Sequence, residues 1–423
     1  MRKESHHPDG GQSGVAECFD GSGNTYMGDG QTMNDKIYWI WLQQSIGINP
    51  TVRTDEIVSY FGSAKALYFA GEMEWRISGI FTSKQISKLC NQDLSKAENI
   101  LNICAKNNWQ VVTPDDGNYP SMLFKLPNFP LVLYVNGDLD CLKNKITVAL
   151  VGTREPTVNS TRAARSLAAS LTRSGAVVVS GGALGIDSAS HQGALDANGS
   201  TVAVLGCGLD CTYPVANKAL RKQITENGAV LTEYPPGTMA MPRNFPIRNR
   251  IISGLSYGTV VIEAGERSGS LITANYALEQ GRDVFAVPGD ILFSGFTGAN
   301  KLIRDGAKPV FNALDILEEY AIRYPELVEL DKIETTLSFR EQPSRTASEK
   351  EEKSTDKVVK QPEPSGLSED ALKIYRAFDC AEMQKEELII KTGLGVSAFA
   401  CAMTELELFG LVELLAGKNY KLK

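Results

Sequence analysis

The sequence predicts an α/β protein: a Rossmann-like, doubly wound, mostly parallel sheet, with a small N-terminal helical domain (SAM-like or helix-hairpin-helix) and a C-terminal winged helix. Three observations predict it. From Lys145 onward, apolar β-branched runs alternate with helical stretches: ITVALVG, STRAARSLAASLTRSG, AVVVSGG, IDSASHQGALDANG, TVAVLG, ANKALRKQITENG, AVLTEYP, FPIRNRIISGLS, TVVIEAG. Near-continuous apolar strands separated by helices mark a parallel sheet covered on both faces. Several strands end in small-residue turns that open the next helix. Finally, 423 residues with 43% apolar and 22% charged content are enough for two or three domains of ordinary globular composition.

The elements follow in order. Residues 1–34 are polar and rich in Gly, Ser and Asp, which reads as a disordered tail without the apolar region of a signal peptide. Met33 is an alternative start. Residues 35–108 carry short helical patterns broken by glycines (IYWIWLQQSIGI, TDEIVSYFG, AKALYFAG, EWRISGIF, SKAENILNICAKNN) and are expected to form a structural cap. Residues 109–329 hold the Rossmann-like core, and the paired Asp115 and Asp116 of PDDGNYP are expected to hydrogen-bond within a turn. Residues 330–366 are charged and nearly free of large apolar side chains, a flexible linker. Residues 367–423 show three helical patterns and a hairpin, LVELLAGKNYKLK, as in a winged helix-turn-helix.

Composition excludes several classes. The formal charge is −7, yet residues 146–312 hold fifteen Lys and Arg against twelve Asp and Glu, a net of +3. A mildly basic middle between acidic flanks suits local phosphate binding. Of eight cysteines only Cys207 and Cys211 lie close together, with no histidine beside them. Reduced thiols, a cytoplasmic location and no metal site are therefore expected. No run of 18 apolar residues occurs, so no membrane partner is expected. The chain lacks G-x-x-x-x-G-K-[ST], and its first core strand lacks G-x-G-x-x-G, so no nucleotide cofactor is expected. His191 is the sole histidine of the folded region, and no Ser-His-Asp or Cys-His order is evident; no catalytic residue is assigned.

A doubly wound sheet binds ligands at the carboxyl ends of its strands. Four small-residue turns fall there: Gly152-Thr153-Arg154, Ser180-Gly181-Gly182, Gly206-Cys207-Gly208 and Ser268-Gly269-Ser270. Small residues let a phosphate approach backbone N–H groups, and an arginine can grip two of its oxygens. In FPIRNRIISGLS, Pro246 suits the first turn of a helix. That places Phe245, Arg248, Asn249 and Arg250 near the helix's positive end, on the same edge. One arginine is expected to anchor the loop against Glu233 or Glu263 and the other to face phosphate.

The succession ALVGTR, SGGALGID, VLGCGLDCTYP, TEYPPGT, FPIRNRIISGLS, VVIEAGERSGSLITANYALEQGRDVFAVPG and GANKLIRDGA resembles the DNA-processing protein A (DprA, or Smf) family through the whole core. The resemblance implies a non-catalytic, homodimeric protein that binds single-stranded DNA along the carboxyl edge of the sheet. It also implies delivery of the strand to the RecA recombinase during natural transformation. By the same resemblance, Gly152, Thr153 and Arg154 would hold phosphates, and Ser180, Gly181 and Gly182 would supply backbone donors. Phe245 would offer a stacking face, Arg248 and Arg250 charge, and Lys301 a further phosphate contact; Asn249, Ser268 and Gly269 complete the expected interface. The family usually reads SGMARGID, with arginine where this chain has Leu184. The winged helix carries seven Lys and Arg against nine Asp and Glu, with Glu405 and Glu407 on its expected recognition helix. Phosphate contacts dominate DNA affinity, so a protein-contact or accessory role is expected of it. The competing enzyme reading is a nucleoside-monophosphate hydrolase of the lysine-decarboxylase-like group. It needs P-G-G-x-G-T-x-x-E, whereas residues 268–273 read SGSLIT and Glu279 comes too late. A purely architectural protein would show no DNA affinity at all.

Overall fold

The apolar runs fold into a nine-stranded sheet in the computed structural model, which describes residues 30–49, 51–328, 367–378, 382–415 and 419–422. The stretches read as tail and linker lie outside the described residues, except residues 30–34, which open the first helix. The chain divides into two units, Met1–Arg340 and Glu341–Lys423.

The strands of the first unit are β1 (Gln110–Val112), β2 (Leu133–Gly137), β3 (Thr147–Val151), β4 (Val177–Ser180), β5 (Thr201–Leu205), β6 (Ala229–Thr232), β7 (Gly258–Val261), β8 (Asp283–Ala286) and β9 (Lys308–Pro309). Their order is β1-β2-β6-β5-β4-β3-β7-β8-β9. From β6 to β9 all neighbours are parallel, while β1–β2 and β2–β6 are antiparallel. Successive side chains of a strand point to opposite faces, and both faces are covered. Val148 and Leu150 enter one core with Val178, Val260 and Phe285. Ala149 and Val151 enter the other with Val179, Val202 and Val204. Burial on both sides is why these strands read as continuous apolar runs.

The N-terminal helices are α1 (Gly30–Ile46), α2 (Thr54–Phe61), α3 (Ala64–Ile77), α4 (Ser83–Leu89) and α5 (Ser95–Lys106). They share the second core: Trp39, Ile40, Leu42 and Trp75 are buried in the same cluster as Val112, Leu133 and Val135. The turn at Asp115 and Asp116 does more than close on itself. Asp116 accepts from the Thr113 N–H at 2.7 Å but also pairs with Lys36 at 2.9 Å, and Asp115 accepts from Trp39 Nε1 at 2.6 Å. Both carboxylates thus pin α1 against the sheet.

The helices of the core are α6 (Val158–Arg173), α7 (Ile186–Asp196), α8 (Lys218–Asn227), α9 (Asn244–Gly254), α10 (Ser270–Glu279), α11 (Thr297–Arg304) and α12 (Leu314–Ala321). The chain lays down β3, β4, β5 and β6 in one direction, then crosses to the other side of β3 to form β7, β8 and β9. The order therefore reverses between β3 and β7.

The second unit folds as α13 (Glu369–Ala377), α14 (Lys385–Thr392) and α15 (Val396–Leu408) with strands β10 (Glu382–Gln384), β11 (Val412–Leu415) and β12 (Asn419–Leu422). The expected hairpin pairs β11 with β12, and β10 adds a third antiparallel strand that three residues were too few to signal. Ile374, Phe378, Leu388, Phe399 and Leu406 fill its core. Glu405 accepts from the Ser368 N–H at 2.7 Å, tying α15 to the start of α13.

Candidate nucleic-acid interface

A cavity of about 550 Å³ opens at the carboxyl ends of β3 and β7, where the strand order reverses. This is the position at which open α/β sheets take ligands. The loop after β3, the start of α9, the turn at residues 268–270 and Tyr213 surround it.

The loop after β3 is held from below. A side chain at Gly152 would come within 2.6 Å of Ile186 Cγ1 and 3.0 Å of the Glu263 carbonyl, so only glycine passes. The Thr153 N–H donates to that same carbonyl at 2.8 Å. Glu263 Oε2 accepts from the N–H and hydroxyl of Thr157, at 2.9 and 3.0 Å, and Thr157 in turn caps α6. Glu263 therefore organises this loop and pairs with neither Arg248 nor Arg250; of the two carboxylates named as possible anchors, Glu233 takes the arginine. The loop is fixed up to Thr153, and Arg154 is left exposed. The Arg154 guanidinium carbon lies 5.2 Å from the Phe245 ring centroid, and the Tyr213 ring centroid lies 5.7 Å from it. Gly206 backs Phe245, since a Cβ there would come 2.9 Å from the ring. A cation beside two aromatic rings in a cleft is the make-up of a single-strand stacking platform.

The turn after β4 is built differently. Ser180 is fully buried and its hydroxyl donates to the Leu150 carbonyl at 2.6 Å. Asp187 Oδ2 accepts from the N–H groups of Gly181 and Ala183, at 3.1 and 3.3 Å. Of the three residues expected to offer backbone donors to phosphate, Gly181 thus gives its N–H to a carboxylate of the same chain. Gly182 is buried in the left-handed region at φ +64°. Burial raises the Asp187 pKa, against the pull of Arg248 and of the backbone donors.

Both arginines of α9 are buried: one takes the expected anchor on Glu233, but the other, expected to face phosphate, is drawn into the fold as well. Arg250 Nη2 donates to both oxygens of Glu233 at 2.7 Å, with the two side chains 2% and 6% exposed. Burial raises the Glu233 pKa despite its partner. Arg248 Nη1 donates to the carbonyl of Gly181 at 2.6 Å and to that of Val204, binding together the ends of β4 and β5. Burial lowers its pKa to about 10. Arg248 reaches the cavity wall with its Nε and Nη1 already engaged within the fold. Asn249 accepts from Arg248 Nε at 3.1 Å and donates to the Gly269 carbonyl at 3.4 Å, bridging α9 to the next turn. There the hydroxyls of Ser268 and Ser270 lie 2.8 Å apart. Lys301 is exposed on α11 and is not part of the cavity lining, and Leu184 is exposed outside it too.

Reading the sequence alone missed Tyr213 and Asp187. The aromatic in CTYP, on the turn after β5, signals the first; an acidic residue at the first turn of α7 signals the second. His191 is fully buried, with Nδ1 2.8 Å from the Thr201 hydroxyl. That hydroxyl donates to the Val178 carbonyl, so the imidazole N–H donates to it. Burial and the Arg248 charge lower the His191 pKa to about 3. Among the described residues no His, Cys, Asp or Glu cluster suits a metal ion, and no helix is long and apolar enough to cross a membrane.

Comparison with known proteins finds relatives for both units. Residues 110–321 match the model of DNA recombination-mediator protein A, and residues 359–418 match that of the DprA winged helix domain. Protein Smf of Synechocystis is 34% identical over 408 residues, covering 92% of this chain and 99% of that protein. The DNA processing protein DprA of Streptococcus pneumoniae is 45% identical over 205 residues, 48% of this chain and 72% of that one. The X-ray structure of DprA from Streptococcus pneumoniae superposes with a TM-score of 0.59 at 35% identity, covering 67% of this chain and 97% of that chain. With its core matched by that family model and nearly its whole length by Protein Smf, this chain belongs to the DNA recombination-mediator protein A family.

Proposed function

We propose that the protein binds single-stranded DNA, without catalysis, along the carboxyl edge of its sheet. The observation that carries this reading is the Arg154–Phe245–Tyr213 platform at the reversal between β3 and β7. An exposed cation beside aromatic faces suits a flexible strand whose bases are free to stack, each worth about 1–3 kcal/mol. Family membership supports the finer reading: a cytoplasmic homodimer that protects incoming single strands and loads the RecA recombinase on them during natural transformation.

A titration of single-stranded against duplex DNA over a salt series tests the binding. Each neutralised phosphate contributes about −0.7 to the logarithmic salt slope on single strands, so Arg154 alone gives about −0.7 and every further cation in contact adds as much again. Arg154→Ala should weaken binding about five- to 150-fold, the equivalent of one stacked or charge-assisted contact. A preference for duplex, a salt-independent affinity or an unaffected variant would refute the reading. RecA filament assembly on single strands, followed with and without the protein, tests the loading role separately.

A further inference from the structure

A second cavity, of about 600 Å³, lies across the segment that leads into α9. Ala240 and Pro242 line the first cavity, whereas Met239, Met241 and Arg243 line the second. Residues 238–241 form neither helix nor strand and residues 242–243 form a turn, so this one short segment faces both spaces. One thickness of backbone therefore separates the two spaces. The start of α9 repeats the division, with Phe245 on the first side and Ile247 on the second. The opposite wall of the second cavity is the end of α1, including Gln44.

Its chemistry suits a nucleotide. Met239 is 70% exposed and Met241 42% exposed, and unbranched thioether side chains adapt to flat rings. Arg243 is exposed and has no ion-pair partner among the described residues. Gln44 is half-buried, and its amide, which offers both donors and an acceptor to a base edge, makes no hydrogen bond among the described residues. Its neighbour Gln43 is fully engaged: it donates to the Glu233 carbonyl at 3.0 Å and accepts from the Tyr134 hydroxyl at 3.2 Å. That residue fixes the wall while Gln44 remains free.

We propose that this second cavity is a nucleotide subsite for the same strand, taking a base against Met239 and Met241 with its edge toward Gln44 and its phosphate at Arg243. The inference rests on the single-strand reading above. It favours the strand over a separate protein partner because the wall is shared, so a strand held by Arg154 and Phe245 reaches the second space by crossing residues 239–243. The N-terminal helical domain, expected to be a cap, then forms part of the binding surface.

Fluorescein-labelled oligothymidylates, lengthened from about four to about sixteen nucleotides, test it. The wild type should gain affinity in two stages. Arg243→Ala, or Met239→Ser with Met241→Ser, should remove the second gain, at least about fivefold, the lower end of one base contact. Both should leave the shortest bound oligomer unaffected. Arg154→Ala should weaken every length. Long oligomers carrying terminal 5-iodouracil should also photocrosslink to the peptide holding residues 239–243, a readout that needs no variant. If Arg154→Ala weakens binding while the Arg243 and methionine variants match the wild type, or lose equally at every length, the subsite is overturned and the first cleft stands. A crosslink that never reaches this peptide overturns it as well. If no length binds, the single-strand reading itself falls.

Discussion

The turns after β3 and β4 look alike in sequence, GTR and SGG, and are neighbours in the sheet, yet the protein uses them in opposite ways. The turn after β4 is closed by its own helix: Asp187, on the first turn of α7, accepts from Gly181 and Ala183. The turn after β3 has its carboxylate, Glu263, behind it rather than in front, so Arg154 is free to face the cavity. The arginines divide in the same way. Arg250 and Arg248 are consumed by Glu233 and by strand-end carbonyls, while Arg154 rests on an aromatic ring at the surface. A glycine-rich turn marks a ligand site only where no side chain of the same fold takes its donors.

The largest test of this contrast is the buried pair. Glu233→Ala leaves Arg250 charged and unpartnered, since its Nε and Nη1 already lack hydrogen bonds, and should cost about 3–5 kcal/mol in urea unfolding. The DNA affinity of the folded protein should stay the same; a loss of affinity with no loss of stability would make Arg250 a ligand residue after all. Asp187→Ala should cost about 3 kcal/mol, because it leaves the N–H groups of Gly181 and Ala183 without their acceptor and removes the nearby carboxylate charge that favours buried Arg248. Added sulfate should restore part of that stability by filling the emptied turn. If sulfate stabilises the wild type equally, the turn was open from the start.

His191 gives a pH test of the same closed region. Its pKa is lowered to about 3 in the folded protein, from the usual 6.5. Below pH 6.5 the unfolded chain takes up a proton that the folded one refuses. The stability present above pH 6.5 is therefore lost as the pH falls toward 3, by about 1.4 kcal/mol per unit. The raised pKa values of Asp187 and Glu233 act with the opposite sign, but His191→Gln shares them. The difference between the two pH profiles isolates the imidazole, and equal slopes would mean that it is charged in the fold. The smallest effect belongs to Lys301→Ala. Lys301 lies outside the cavity lining, so the substitution should change the salt slope by about 0.7 if the strand extends that far and by nothing if it does not.

Periodicity and composition carried much of this molecule. The β-branched runs, buried on both faces, announce the parallel sheet because nothing else makes a strand apolar at every position. The glycines in the turns after β3, β4, β5 and β7 and the proline of FPIRNR mark the carboxyl edge and the start of α9. Asp187, Glu263 and Arg248 were not legible in that way. Their roles depend on which donor each side chain meets across 4 to 106 residues of sequence, and a single chain states no partners. Tyr213 likewise joins the platform only because the turn after β5 comes to lie beside α9.

By itself, then, the sequence determined the architecture, the edge on which a ligand would sit and the pool of cations and aromatics available there. Tertiary structure alone decided which members of that pool remain free. A buried charge must find a partner or a set of hydrogen bonds. Folding therefore assigned Arg248 and Arg250 to the interior and left the surface role to Arg154.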